Sequence, residues 1–393
     1  MKILIALASS PRHLSGVPRH AINLARCLLT RAEIAEIHLV VAPWQMGFVL
    51  EAIPLSDARL HLQAAPMGNS ALSRNLWLYA QLPRLAAQLE VDIVHLAYPV
   101  PVRRGAYRSP VVVTLHDLYP YDIPENFGFP KAFFNRAVLR QCLRKADAIA
   151  CISQSTFSRL EKLDSRLSGK ATVVYNSREE LTQGKIETPL PEREGLPFML
   201  CVAQHRRNKN ILLALRVFER LLRTGRIPAE MGLVIVGITG PETPAIKNFV
   251  TGAGLARSVV LLAGISDAQL AWCYRSCSLV LAPSVLEGFG VPVAEALLAG
   301  CRVVCSDIPA FREFGGSHCR YVPLGRNEED ALADAIVAAL SQPPPEAISF
   351  PQFSPHVIAE EYVRLYRSLL HARESNAGSH RTALQATGGR QQL

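Results

Sequence analysis

Short runs of β-branched and aliphatic residues recur along the first half of the chain, at Lys2–Ala8, Ile37–Ala42, Val91–Leu96, Val111–Leu115, Ala148–Ile152 and Thr172–Tyr175, each closed by a turn signal. Between them lie stretches of helical spacing such as His20–Thr30, where Leu24, Ala25 and Leu28 share one face. Apolar strands alternating with amphipathic helices predict a parallel sheet covered on both faces. After the Pro-, Glu- and Gly-bearing stretch Thr182–Pro197 the same grammar restarts with Phe198–Ala203, Leu233–Val236, Val259–Leu262, Leu279–Ala282 and Arg302–Cys305, and with helical patterns such as Ile211–Leu222. The expected organisation is a doubly wound α/β domain over residues 1–185, a second over 196–345 ended by Pro343–Pro345, and one amphipathic helix over 354–371 with Ile358, Tyr362, Leu365 and Leu369 on a common face. Apolar content falls from Glu374 onward, so 374–393 is expected to be a disordered tail. Two such domains face each other across a cleft at their strand carboxyl ends, where open α/β sheets bind ligands.

At 393 residues, 49% of them hydrophobic, the chain is long enough for two or three domains, and its composition excludes disordered and collagen-like classes for the bulk of it. The net charge is +9, and residues 1–190 hold 22 basic and 15 acidic residues, so most of the surplus lies in the first half. That surplus fits nucleic acid, an anionic membrane surface or a phosphorylated substrate. The nine cysteines contain no Cys-x-x-Cys and lie mostly in apolar runs, which reads as reduced, cytosolic thiol. Cys273/Cys277 and Cys301/Cys305 lack the histidine cluster that a zinc site would add. No run reaches 18 apolar residues, so neither a signal peptide nor a membrane span is expected.

Four segments that follow strands carry candidate chemistry. Ser15-Gly16 precedes the first helix, where small residues let backbone N–H groups approach an anion, or simply make a turn. His116-Asp117 ends the strand Val111–Leu115, placing an imidazole over the cleft or against a neighbouring carbonyl. Arg206, Arg207 and Lys209 crowd the start of a helix, an unfavourable arrangement unless a phosphate lies among them; a solvated basic loop is the alternative. Most informative is Pro283–Leu297, where Glu287 lies in a loop, Gly288 and Gly290 permit close backbone approach, Pro292 opens a helix and Glu295 falls one turn inside it. That layout aims N–H groups at a diphosphate and two carboxylates at sugar hydroxyls.

This Glu-x7-Glu segment with its interior Gly-Phe-Gly-x-Pro resembles the signature of retaining glycosyltransferase family 4, of GT-B fold. Ser15-Gly16, Thr114-Leu115-His116-Asp117, Cys151-Ile152-Ser153-Gln154-Ser155-Thr156, Val173-Val174-Tyr175-Asn176, Asn208-Lys209-Asn210 and Ser306-Asp307-Ile308-Pro309 with Glu313 resemble further family segments, and the last helix resembles the family's crossover helix. The resemblance implies that Lys209 with Arg206 or Arg207 neutralises the departing diphosphate, that Phe289 and Gly290 offer it backbone donors, and that Gly16 with Ser15 approaches it from the other domain. It further implies that Glu295 holds the ribose, that Glu287 and His116 contact the transferred hexose, and that the reaction retains configuration without a dedicated general base. Ala203-Gln204 and the single glycine at Ser15-Gly16 depart from the family's usual residues. No Asp-x-Asp occurs, so no cofactor and no obligatory metal are expected.

Residues 131–145 hold five basic residues and no acid, with Arg136, Arg140 and Arg144 on one stripe and Phe134, Val138 and Cys142 on another. Such a helix fits an anionic membrane surface or a polyprenyl-diphosphate-linked acceptor, or else a solvated basic face. The expected enzyme works in the cytoplasm or peripherally on the inner face of the membrane, moving a hexose from a nucleotide diphosphate sugar to a glycan or lipid-linked acceptor in polysaccharide assembly. GDP-mannose is the favoured donor, because the Thr114–Asp117 strand end resembles mannosyltransferases, with UDP-glucose and dTDP-rhamnose behind it. Nucleic acid is not an expected partner, since no recognition motif accompanies the basic stripe. A catalytically silent partner subunit is the remaining alternative.

Overall fold

The computed structural model describes residues 1–10, 14–53, 57–177 and 186–388, with side chains through Ser375. Residues 178–185, the front of the expected linker, lie outside them. The first domain runs β1 (Lys2–Ala6), α1 (Gly16–Leu29), β2 (Glu36–Val41), α2 (Met46–Ala52), β3 (Leu60–Ala64), α3 (Ala71–Ala80), α4 (Leu82–Gln88) and β4 (Ile93–Leu96). It continues through β5 (Val111–Leu115), α5 (Tyr119–Asp122), α6 (Lys131–Lys145), β6 (Ala148–Cys151), α7 (Gln154–Leu163) and β7 (Ala171–Val173). Its seven parallel strands lie in the order β3-β2-β1-β4-β5-β6-β7, with Ile5 in register between Leu39 and His95.

The second domain comprises β8 (Phe198–Val202), α8 (Ile211–Arg223), β9 (Gly232–Val236), α9 (Thr243–Gly252), β10 (Val259–Leu262) and α10 (Asp267–Ser276). It ends with β11 (Leu279–Ala282), α11 (Val291–Leu298), β12 (Val303–Ser306), α12 (Pro309–Gly315), β13 (Cys319–Val322) and α13 (Glu328–Leu340). Its parallel order is β10-β9-β8-β11-β12-β13. In each sheet the order reverses beside the first strand, at β1/β4 and at β8/β11, and a crevice opens there at the strand carboxyl ends.

The edge strands β3 and β13 were not expected from the sequence. LHLQA and CRYV are largely half-buried, so neither carries the continuous apolar run that marks an inner strand. The first helix begins at Gly16 rather than His20: Ser15 stands at the N-cap position in extended backbone, its carbonyl accepting from the Arg19 N–H at 2.9 Å, and Pro18 is tolerated in the first turn. The last helix, α14 (Pro355–Gly388), returns to the first domain: Ile358, Ala359, Tyr362, Val363 and Tyr366 share a core with β1, β2 and α1. Helical backbone runs through the stretch expected as a tail, to Gly388. The segment holds no proline.

Candidate functional site

A short turn over Arg207–Lys209 follows β8, and Asn210 in left-handed conformation (φ 50°) swings the chain into α8. The turn divides its cations. Lys209 points into the cleft, where Nζ contacts both Glu287 oxygens at 2.6 and 2.8 Å. Arg206 is half-buried and faces Asp117 and Tyr119 electrostatically. Arg207 is exposed and lines a different cavity of about 160 Å³ between α8 and α9, with Arg216 and Glu242. Of the two arginines expected at phosphate, Arg206 faces the Asp117 and Tyr119 side of the cleft and Arg207 faces the cavity between α8 and α9.

The loop after β11 brings Glu287 beneath the start of α11, almost fully buried. Gly288 is required by crowding: a Cβ there would lie 2.0 Å from the carbonyl oxygen of His116, across the domain boundary. Its own carbonyl accepts hydrogen bonds from Ser153 and, at 3.1 Å, from Thr156, so the Ser-x-x-Thr turn at the head of α7 holds the donor loop of the opposite domain. Gly290 caps α11 at φ 97°, with the Phe311 ring 2.6 Å from where a Cβ would stand. Val293 and Ala294 donate to the Gly290 carbonyl at 3.0 and 3.2 Å and Pro292 has no N–H, so the Val291 N–H is the backbone donor left in the first turn of α11. The Phe289 side chain faces away, packed among Tyr175, Phe314 and Phe353, which leaves its backbone for any ligand role. Glu295 is buried one turn into α11 and accepts a 3.0 Å hydrogen bond from Tyr274, whose hydroxyl is pushed well above its ordinary pKa by burial and by that carboxylate.

From the first domain, His116 donates through Nε2 to the carbonyl of Ala97 at 2.8 Å. Burial lowers its pKa, so the ring is neutral near pH 7 and Nδ1 is a hydrogen-bond acceptor rather than an acid. Ser15 stands at the N-cap of α1 beside Gly16, whose Cβ position is open space, so nothing in the protein itself demands a glycine there.

Several contacts escaped the sequence reading. Tyr119 lies 3.5 Å from Glu287 and accepts from Asn208 at 3.3 Å, while Asn208 also meets Asn126 of the first domain at 3.1 Å. Arg159 of α7 pairs with Asp122 beside Asp117 and Tyr119. Arg19 of α1 forms a bidentate pair with Asp267 of α10 at 2.7 and 2.8 Å and feels Glu295 electrostatically. Glu313 of α12 accepts from the α7 backbone at Gln154 and Ser155 (2.6 and 3.0 Å). Behind His116, whose ring meets that of His20 edge-on at 4.8 Å, runs a buried chain. With Asn176 accepting through Oδ1 from His20 Nδ1 (2.8 Å), His20 Nε2 takes the Thr114 hydroxyl (3.1 Å). Thr114 then accepts from His95 Nε2 (2.7 Å), and His95 Nδ1 accepts from Tyr366 of α14 (2.6 Å). None of these contacts has a local sequence signal except the serine cap of α7.

The stripe assigned to α6 is corrected. Leu139, Cys142 and Leu143 form its buried face, Phe134 is 61% exposed, and Arg136 turns inward to the Pro120 carbonyl (2.6 Å) and the Tyr121 ring. Arg144 lies near Asp164 at 3.4 Å, and Arg140 is exposed. Among the described residues no group of three or more His, Cys, Asp or Glu is placed to hold a metal ion, and no helix is long and apolar enough to cross a membrane.

Two parallel α/β sheets whose strand order reverses at β1/β4 and at β8/β11 define a two-domain, doubly wound architecture. The family described as glycosyltransferase family 4 matches residues 14–178, and glycosyl transferases group 1 matches 183–349. The chain belongs to the group 1, family 4 glycosyltransferases. It is 26% identical over 213 residues to O-antigen chain mannosyltransferase RfbU of Salmonella typhimurium, covering 53% of this chain and 56% of that one, so it spans about half the length of that relative. It is 24% identical over 353 residues to O-antigen chain mannosyltransferase B of Escherichia coli, covering 86% and 91%. Its structure is similar to that of Anabaena Alr3699/HepE in complex with UDP and glucose, with TM-score 0.63, 18% identity and 96% and 100% coverage. It is also similar to WaaG, a glycosyltransferase involved in lipopolysaccharide biosynthesis, with TM-score 0.66, 14% identity and 94% and 98% coverage. Those likenesses are of fold, and the fold is GT-B.

Proposed function

We propose that the protein transfers a hexose, mannose from GDP-mannose in the first instance, to a glycan or polyprenyl-diphosphate-linked acceptor during O-antigen or related polysaccharide assembly, with retention of configuration and without a metal. The carrying observation is the meeting of Lys209 and Glu287 beneath the head of α11, with Arg206 beside them, Glu295 a turn further in and His116 opposite. In this reading Lys209 and Arg206, with the backbone N–H groups of Phe289, Gly290 and Val291 at the head of α11, take the charge of the departing diphosphate in place of a cation. Glu295 accepts from the ribose hydroxyls, and Glu287 and the bare Nδ1 of His116 accept from hydroxyls of the hexose. The bond from the anomeric carbon to the diphosphate breaks as the acceptor oxygen bonds to the same face, and the acceptor proton passes to the departing phosphate oxygen. The mannosyl choice is supported by the mannosyltransferase relatives; UDP-glucose and dTDP-rhamnose are the competing donors. The acceptor is reached at the inner, anionic face of the membrane.

The test is thermal stabilisation by GDP, UDP and dTDP and their sugar conjugates, with Lys209→Ala and Glu295→Ala beside the wild type. A nucleotide at 100 times its Kd adds about 2.7 kcal/mol. Stabilisation by one series only, lost in both variants, supports the reading, and the anomeric configuration of the product with that donor then decides retention. No stabilisation by any nucleotide overturns it.

A further inference from the structure

Inside the core of the first domain five polar side chains form one hydrogen-bonded chain: Asn176 beyond β7, His20 on α1, Thr114 on β5, His95 on β4 and Tyr366 on α14. His95, Thr114 and Tyr366 are fully buried, and His20 and Asn176 nearly so. The core they enter is otherwise built from side chains such as Ile5, Ala97, Val112 and Ala150. Polar groups taken out of water into such a core gain nothing over well-packed aliphatic ones, so packing does not account for them. What a fully bonded chain adds is a fixed orientation and one proton arrangement for each ring.

Asn176 offers its amide oxygen to His20 Nδ1, which therefore carries hydrogen, and His20 Nε2 is left to accept from Thr114. Thr114 in turn accepts from His95, whose bare nitrogen takes the Tyr366 hydroxyl. In the opposite sense the chain would make Tyr366 an acceptor and turn its own hydrogen, which has no second partner among the described residues, toward the core. His20 is thus held at both ring nitrogens.

His116 leans on this chain. It stands two residues beyond Thr114 at the end of β5, so strand alternation puts both side chains on the same side, against His20. The His116 ring is tied by Nε2 to the Ala97 carbonyl at 2.8 Å, a single bond about which a ring can turn. The His20 ring blocks that turn, meeting it at 4.8 Å with the two planes 89° apart.

We propose that His20 is a positioning residue for His116: held by Asn176 and Thr114, its ring fixes the plane of the His116 imidazole and so keeps Nε2 on Ala97 and Nδ1 bare. The use of that bare nitrogen to receive the hexose rests on the proposed function. The state of the ring itself requires no donor.

The full chain is labelled with nitrogen-15 histidine and its ring nitrogens are read by long-range proton–nitrogen correlation at pH 8, with His116→Gln assigning the His116 signals. Wild type is expected to show one protonated and one bare nitrogen. His20→Ala and Thr114→Val should average the two as the ring samples both tautomers, and Thr114→Ser, which restores the hydroxyl, should return the separate pair. In parallel, melting is followed with GDP, UDP and dTDP and with GDP-mannose, UDP-glucose and dTDP-rhamnose. For the nucleotide that binds, His20→Ala and Thr114→Val should keep the wild-type affinity for the diphosphate but bind its sugar conjugate about two- to tenfold more weakly. Wild-type His116 signals in both variants overturn the proposal, as does equal weakening of diphosphate and conjugate, the mark of a general loosening of the fold. If His20→Ala does not fold, Thr114→Val and its serine counterpart decide alone. If no nucleotide shifts the wild type, the donor reading falls and the ring signals still decide the positioning; if nucleotides bind and the ring signals do not change, the positioning alone falls.

Discussion

His95 lies fully buried on β4, accepting from Tyr366 and donating to Thr114, and its pKa is pushed down to about 3 by burial and by the nearby His116. Unfolded, it titrates near 6.5. Between those values the unfolded chain binds a proton that the folded chain excludes, so this histidine's contribution is complete above pH 6.5 and is lost as pH falls toward 3. At pH 5 the unfolded state is favoured by 1.5 pKa steps, about 2 kcal/mol. Asp57 and Asp164, each held near 2 chiefly by hydrogen bonds from neighbouring arginines, contribute fully above the carboxylate range and lose that contribution only as pH falls from 3.8 toward 2, so they do not enter the comparison of pH 7 with pH 5. The variant His95→Gln removes the titration. Urea unfolding of both proteins at pH 7 and pH 5 should show a less stable variant at pH 7, because the Tyr366 and Thr114 bonds are disturbed, but a pH dependence flatter by about 2 kcal/mol. His38, His116 and His205 are also depressed by burial and remain in both proteins, so the difference isolates His95. Equal pH dependence in the two proteins would refute a buried, neutral His95 and the direction of the hydrogen-bond chain with it.

Lys209→Met leaves the Glu287 carboxylate buried without its cation and should cost about 3–5 kcal/mol by denaturant unfolding; adding Glu287→Gln should recover part of that loss. Gly290→Ala, at φ 97° and against Phe311, should lose at least about 1–3 kcal/mol from backbone strain alone. Gly16→Leu, entering open space, should change stability by no more than about 0.5 kcal/mol yet abolish the thermal shift given by nucleotide. Arg19→Ala removes a partly exposed pair worth about 0–1 kcal/mol, so melting should hardly move, while the radius of gyration in small-angle scattering should rise as the domains part.

What could be read from the chain follows from where each residue gets its environment. The strand VVVTL is buried at every position and announces itself, whereas LHLQA and CRYV sit at sheet edges and look like ordinary mixed segments. The positions of Glu287 and Lys209 in loops after β11 and β8, and of Glu295 inside the helix that the first of these loops opens, could be read from local spacing. Their partners could not. Tyr119 reaches Glu287 across 168 residues and Tyr366 reaches His95 across 271, contacts that exist only once the domains face each other and α14 has folded back. Arg136 shows the opposite failure: helical spacing put it on an outward stripe, but the Pro120 carbonyl and Tyr121 ring lay close enough to turn the side chain aside.

The same closure sets the charge available at the site. Lys209 holds both oxygens of Glu287, Arg19 holds both of Asp267, and Arg159 is taken by Asp122. With the Lys209 ammonium at both oxygens and the Tyr119 hydroxyl at one, Glu287 has little acceptor capacity left for a sugar hydroxyl. On the proposed function, a diphosphate arriving at the head of α11 competes with Glu287 for Lys209, and the more negative group draws the lysine away. That exchange releases Glu287 to accept from the hexose at the moment the leaving group gains its counter-ion. One ion pair thereby links recognition of the sugar to neutralisation of the diphosphate, and a nucleoside monophosphate, with less charge to offer, should leave the pair largely closed.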